Sequence, residues 1–437
     1  MDQKAIKRSK FAWVMYDWAN SAFVTTITAA VLPVYYSSVA AANLPAHIRT
    51  ANWSYTTTIA LLLVAFMGPV MGAMADFSGS KKKYLTIFAL IGMLGAALLF
   101  FVQEGDWLMA SAFYIIGNVG FAGANVFYDS LLPHVAEEDE RDQLSSRGYA
   151  FGYLGGGILL AINLAMILSA PDAATSALMS RISFLMVAVW WLVFTIPLWR
   201  WVKEPPRRIM AGEENFKPIQ ASFNRLSHTF GEIRKFKELF NFIIAFWLYN
   251  NGIGTIIVMA TIYGTELNFS QTTTIGTLLM VQFLGIPFSF LFGWLGKKIG
   301  TKKSILISLG IYTLIAIGGY FMYQEIHFWL LGIGVAMVQG GSQALSRSLF
   351  SRMVPKSKSA EFYSFFSVSE KVAGTVGPLL FGVVSTVMGG SRLSIISLVI
   401  FFIVGGYLLS RVDENEGMRV AQEEEARLMK ASTEVPA

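Results

Sequence analysis

Runs of about 20 or more predominantly apolar residues recur from one end of this chain to the other, and that recurrence limits its fold more than any other feature. Twelve can be read, at 11–40, 54–75, 84–103, 107–133, 147–170, 181–202, 239–264, 272–296, 303–323, 327–350, 362–388 and 392–410. At 1.5 Å per helical residue each is long enough to cross a hydrocarbon layer ~30 Å thick. Composition agrees: 54% of the 437 residues are hydrophobic and 14% are charged, whereas a soluble chain carries about 25% charged residues. Several soluble domains are therefore excluded, and lipid is the solvent. The first run carries Asp17 and eleven more follow it, so it is not read as a signal peptide.

Charge placement predicts orientation. With the N-terminus inside, 30 of the 34 Lys and Arg fall on the inner side and only Arg49, Arg181 and Arg392 fall outside. That asymmetry places both termini in the cytoplasm. It also explains the net charge of +6 without a nucleic-acid surface. The chain has no cysteine, and its four histidines form no ligand-spaced cluster, so neither a metal nor another cofactor is expected. One long polar stretch, 203–238, separates an N-terminal unit at 1–202 from a C-terminal unit at 239–411, with a charged cytoplasmic tail at 412–437. Within that stretch Phe223, Leu226, Phe230, Ile233, Leu239 and Phe240 recur at helical spacing among basic residues. The pattern predicts an amphipathic helix on the inner leaflet, with partner binding as the alternative.

The two units repeat one another. Gly72, Gly79 and Lys82 recur 221 positions later as Gly293, Gly300 and Lys303, and Pro133 and Gly152 recur after 222 as Pro355 and Gly374. Parallel repeats of six spans describe a two-lobed secondary transporter. The loop after the second span reads Gly72-x-x-x-Asp76-x-x-Gly79-x-Lys81-Lys82. Glycines permit a tight turn there, and a carboxylate can cap or pair across a cytoplasmic seam. The second copy carries Lys297 in place of the acid, followed by Gly300 and Lys302. The second copy therefore departs from the first at this position.

Twelve spans, a 6+6 repeat and this loop resemble the major facilitator superfamily over nearly the whole chain. The resemblance implies two pseudo-symmetric six-helix bundles, an all-α membrane fold. It also implies a gating role for Gly72, Asp76, Gly79, Lys81, Lys82, Gly293, Gly300 and Lys302. The Tyr16-Asp17-Trp18-Ala19-Asn20-Ser21-Ala22-Phe23 opening and the stretch from Asn118 to Pro133 are similar to the vacuolar amino-acid effluxer-like branch. Membership of that branch would imply export of amino acids. Transporters of this kind work as monomers by the same resemblance.

Ionisable and amide side chains inside spans are costly, about 2.5–3.5 kcal/mol for a charge, and mark cavities or partners. Asp17 is the first, with Asn20 and Ser21 on its face. A carboxylate in a partly dry cavity suits proton coupling or an ammonium partner; a packing role satisfied by a hydroxyl or backbone group is the alternative. Asn118, Asn125 and Asp129 form one stripe, and Gln339, Gln343 and Arg347 form another. The two suit a watery path, with an inter-lobe salt bridge as the equal alternative for Arg347 and Asp129. Asn250 and Asn251 offer donors and acceptors in the seventh span. The chain is thus expected to be a plasma-membrane (bacterial cytoplasmic) secondary transporter, symporter or antiporter, of a small polar solute, driven by protons and not an enzyme. Amino acids suit Asp17, Asn251 and Arg347. A sugar, peptide or xenobiotic, or a non-transporting receptor or scaffold, are the alternatives.

Overall fold

The computed structural model describes residues 3–44, 46–206, 233–267, 269–363, 365–366, 377, 380–381, 384 and 391–433. Among them the chain is helical and carries no strand. Ten helices are long and apolar enough to cross a membrane. We number them with the two other long helices: α1 (Gln3–Ala40), α2 (Ala46–Ser78), α3 (Lys81–Phe101), α4 (Trp107–Val135), α5 (Glu138–Leu168), α6 (Ala173–Trp201), α7 (Lys237–Glu266), α8 (Gln271–Ile299), α9 (Thr301–Tyr320), α10 (Glu325–Arg352), α11 (Arg392–Arg411) and α12 (Glu414–Thr433). The expected eleventh span at 362–388 falls largely outside the described residues, as do Glu370, Lys371 and Gly374. The same holds for 207–232 of the expected amphipathic linker. Its last positions belong to the core instead, because Phe236 and Leu239 are 2% and 1% exposed.

Local sequence accounts for the irregular helices. α1 widens to π-type winding over Phe23–Val31. Pro33 removes the N–H that would reach residue 29 and crowds that carbonyl, while the Thr25 hydroxyl donates to the Ser21 and Ala22 carbonyls at 3.1 and 3.4 Å. Such winding marks functional segments of helices. The turn between α3 and α4 is tight: Gly105 adopts φ +85°, and Asp106 accepts the Gln103 N–H at 2.9 Å.

Two hydrophobic cores form. One gathers Trp13, Phe23, Tyr114, Phe127 and Trp191 from the first half. The other gathers Phe242, Tyr249, Tyr312, Phe350 and Phe402 from the second. Outward faces carry exposed Leu94, Leu108, Val189, Ile244, Leu314 and Ile403, which only lipid can cover at low cost. The halves meet along α5, which packs on α8 and α10. Close approach needs small residues: a Cβ on Gly293 would lie 2.8 Å from the Ser146 side chain.

Candidate functional site

Three intramembrane charges that stand far apart in sequence meet at one point. Arg347 on α10 is 5% exposed. Its guanidinium reaches Asp129 Oδ1 on α4 at 3.1 Å and Asp17 Oδ2 on α1 at 3.3 Å. It also donates to the Ser145 hydroxyl at 2.8 Å and the Ser145 carbonyl at 2.9 Å on α5. Tyr128 donates to Asp17 at 2.7 Å. The rings of Tyr149, Trp13 and Tyr128 surround the guanidinium, with its carbon 4.5, 4.8 and 5.6 Å from their centroids. Burying an ion pair costs several kcal/mol per ion unless hydrogen bonds fill the remaining sites. Here every side of the guanidinium has an acceptor or an aromatic face. Two carboxylates face one guanidinium, so the cluster carries a formal charge of −1.

The local sequence makes this possible. Trp13 and Asp17 are i and i+4 on α1, and Ser145, Gly148 and Tyr149 share one face of α5. A side chain on Gly148 would collide with the Asp17 carboxylate and stand 3.0 Å from Arg347 Nη2. That position must stay empty for the pair to form. One turn from Asp17, Asn20 donates to Asn125 Oδ1 at 2.6 Å. Asn118 donates to the Tyr114 hydroxyl at 2.9 Å.

The other sequence-predicted residues lie apart. Asn251 is fully buried, donating to the Trp247 carbonyl and accepting the Gly377 N–H at 2.8 and 3.1 Å. That is helix-to-helix clasping in the second half. Asn250, Gln339 and Gln343 make no hydrogen bond to the Arg347 cluster among the described residues. Sequence reasoning missed Trp13, Tyr128, Ser145, Gly148 and Tyr149. Only adjacency to Asp129 and helical spacing from Asp17 could have signalled the first two.

The loop residues form two seams between the halves, both at the end of the bundle that carries the basic turns. At the first, Lys81 pairs with Asp76 at 2.8 Å. Lys81 also donates to the Lys356 carbonyl at 3.1 Å and to the Ser359 hydroxyl at 2.5 Å, and it lies 2.9 Å from His134 Nε2. The free oxygen of Asp76 accepts the Glu361 N–H at 2.8 Å. It thereby caps the start of the helix that opens at residue 359, in the opposite half. Asp76 and Lys81 are 3% and 2% exposed.

At the second seam the acid comes from the other side. Asp142 near the start of α5 accepts from the Thr301 hydroxyl at 2.8 Å and pairs with Arg352 at 2.8 Å. Lys297, standing where the first copy has its acid, is exposed. The helix starts also adjust the repeat register. Gly79 and Gly300 both take positive φ, +62° and +97°, but the first residues of the following helices are Lys81 and Thr301, 220 apart. Lys82 and Lys302 are then equivalent, and each donates to the carbonyl just beyond a neighbouring helix: Val202 at 2.7 Å and Val412 at 2.8 Å. Glu204 accepts the Lys82 and Lys83 backbone N–H groups at 2.7 and 3.2 Å. Burial pushes its carboxyl above the usual range despite those two bonds.

The chain's end also reaches the first seam. α12 sets Glu424 on Lys358 at 3.2 Å, and Glu425 accepts the Ser357 N–H at 2.9 Å and its hydroxyl at 2.7 Å. This braces the segment that Lys81 grips.

Residues 5–422 match the family model described as "Vacuole effluxer Atg22 like". The chain is 37% identical over 427 residues to the uncharacterized MFS-type transporter YxiO of Bacillus subtilis, covering 96% of this chain and 98% of that protein. It is 25% identical over 464 residues to autophagy-related protein 22 of Yarrowia lipolytica, covering 86% and 78%. Among solved structures it is similar to the proton:xylose symporter XylE bound to 6-bromo-6-deoxy-D-glucose, with TM-score 0.73, 14% identity and 98% and 100% of the two chains covered. It is also similar to the transporter FucP in the outward conformation, with TM-score 0.70, 14% identity and 93% and 98% covered.

Proposed function

This chain belongs to the Atg22-like effluxer family and is a multi-pass transporter of the major facilitator type; from that premise we propose that it moves an amino acid by alternating access with protons as the coupling ion. Twelve spans in two six-helix lobes, 1–202 and 239–411, joined by 203–238 with both ends in the cytoplasm, complete the proposed architecture. The observation that carries the reading is the excess carboxylate facing Arg347. With both acids ionised, the guanidinium is held between α1 and α4 of one lobe and α10 of the other. A proton on one of them leaves a balanced pair and weakens the tie between lobes. An amino acid offers an ammonium to a carboxylate and a carboxylate to Arg347, so it replaces both ends of that tie. A ligand shifts such an equilibrium only by binding the two arrangements differently, and this exchange supplies the difference.

The seams support the same reading. Asp76, Lys81, Asp142, Arg352 and Thr301 tie the halves at the basic end, which is what a transporter closed to the cytoplasm and open outside requires. Purified full-length protein in proteoliposomes tests the proposal, using counterflow of radiolabelled amino acids with and without an imposed pH gradient. Saturable counterflow that accelerates with the gradient, and loses its pH response in Asp17→Asn, is expected. Amino-acid counterflow no greater than in empty vesicles, or saturable sugar or peptide exchange instead, overturns the substrate. Unchanged pH dependence in Asp17→Asn removes that residue as the coupling group.

A further inference from the structure

At the basic end, between the start of α1 and the end of α6, a cavity of about 570 Å³ opens among Gln3, Lys4, Lys7, Arg8, Phe11 and Trp201. The geometry points to a binding site for the phosphate headgroup of an anionic glycerophospholipid.

Lys4, Lys7, Arg8 and Phe11 stand at i, i+3, i+4 and i+7 of α1, one stripe of one helix. Along it the chemistry changes from cationic to aromatic over seven residues, ~10 Å at 1.5 Å each. Each polar headgroup layer of a bilayer is about 5–8 Å deep, so the stripe spans that layer and enters the chains. Phe11 is 49% exposed, and its ring centroid lies 6.4 Å from that of Trp201 at the end of α6. A wall of this kind suits glycerol and upper acyl carbons, because Trp rings favour the membrane interface. Lys7 and Arg8 are exposed, and a cluster of cations at the surface of an anionic leaflet attracts its phosphates.

The matching corner of the second half is built differently. There the start of α7 and the end of α11 are bridged by Glu238, which accepts the Asp413 N–H at 2.8 Å. α12 continues from that point and packs on α7. One corner is closed by the chain's own carboxylate and helix; at the other, Glu140 takes up Lys10 at 2.5 Å, while Lys7 and Arg8 stay exposed around an open volume. The exposed cations of the open corner suit an anion from outside the chain.

Native mass spectrometry of the full-length protein, released from nanodiscs of equal phosphatidylglycerol and phosphatidylcholine, tests this. One phosphatidylglycerol per chain is expected to survive release, favoured about tenfold or more over phosphatidylcholine. Lys4→Gln/Lys7→Gln/Arg8→Gln should lose that adduct, while a charge-matched control, Lys298→Gln/Lys303→Gln/Arg411→Gln, keeps it. Phe11→Ala should weaken lipid retention several-fold, which a purely electrostatic site would not show. Equal loss in the triple variant and its control, equal retention of phosphatidylcholine, or displacement of the lipid by millimolar inorganic phosphate each overturns the proposal. Matching thermal unfolding of both triple variants confirms that the comparison is between folded proteins.

Discussion

The two seams do the same job with opposite parts. At the first, the acid sits in the last turn of α2 and reaches the start of a helix in the other half. At the second, the acid sits at the start of α5 and reaches the first residue of α9. In both, the first residue of the helix after the loop touches the carboxylate: Lys81 in one case and Thr301 in the other. The seams differ most in burial. The first pair is shut away at 3% and 0% side-chain exposure, whereas Arg352 at the second keeps 16%. Equivalent geometry therefore carries unequal energy, because an orphaned charge that can reach water costs less than one that cannot.

That inequality orders the effects of breaking each contact. Asp76→Ala strands Lys81 where only 2% of it is exposed, and should cost about 3–5 kcal/mol. The loss is read as a lower thermal midpoint and as wider spin-label distances between positions 83 and 356. Asp142→Ala should cost less, about 1–3 kcal/mol, because Arg352 can hydrate; pairing Asp142→Arg with Arg352→Asp should restore part of it. Equal losses for Asp76→Ala and Asp142→Ala would show that burial does not set the difference. Thr301→Val removes one hydrogen bond to a carboxylate, and a loss of about 1 kcal/mol is expected in the same thermal measurement. The smallest effect is a pH response confined to the first half. The folded-state pKa of Glu204 is raised by burial, so the folded chain binds that proton before the unfolded chain does. Stability from this group therefore rises as pH falls through the folded value and is lost as pH climbs back. Wild type should gain on Glu204→Gln as pH falls from neutral toward the ordinary carboxylate range, measured as the difference in unfolding midpoint.

Much of the membrane fold could be read directly, because length and hydropathy of a spanning helix are local properties. The irregular winding before Pro33 was not expected from the sequence, although the proline accounts for it once seen. Asp17, Asp129 and Arg347 each stood out as expensive intramembrane groups, and the possibility of a salt bridge between the last two was visible. Their meeting with Asp17, and the ring of Trp13, Tyr128 and Tyr149, was not, because it depends on how α1, α4, α5 and α10 cross. Asn251 shows the reverse: its chemistry suits a ligand, yet packing commits both ends of its amide to the protein. The substitution at Lys297 was plain, but its compensation was hidden in an acidic run at 137–142. In that run one carboxylate does what its neighbours do not.

The crossed placement of Asp142 has a consequence for how such a protein evolves. Neither half holds a full set of its own closures, since each borrows an acid, a base or a helix start from the other. A chimaera of two first halves would bring two loop acids and no counterpart to Arg352. The two halves are complementary parts, held by contacts between positions more than 150 residues apart.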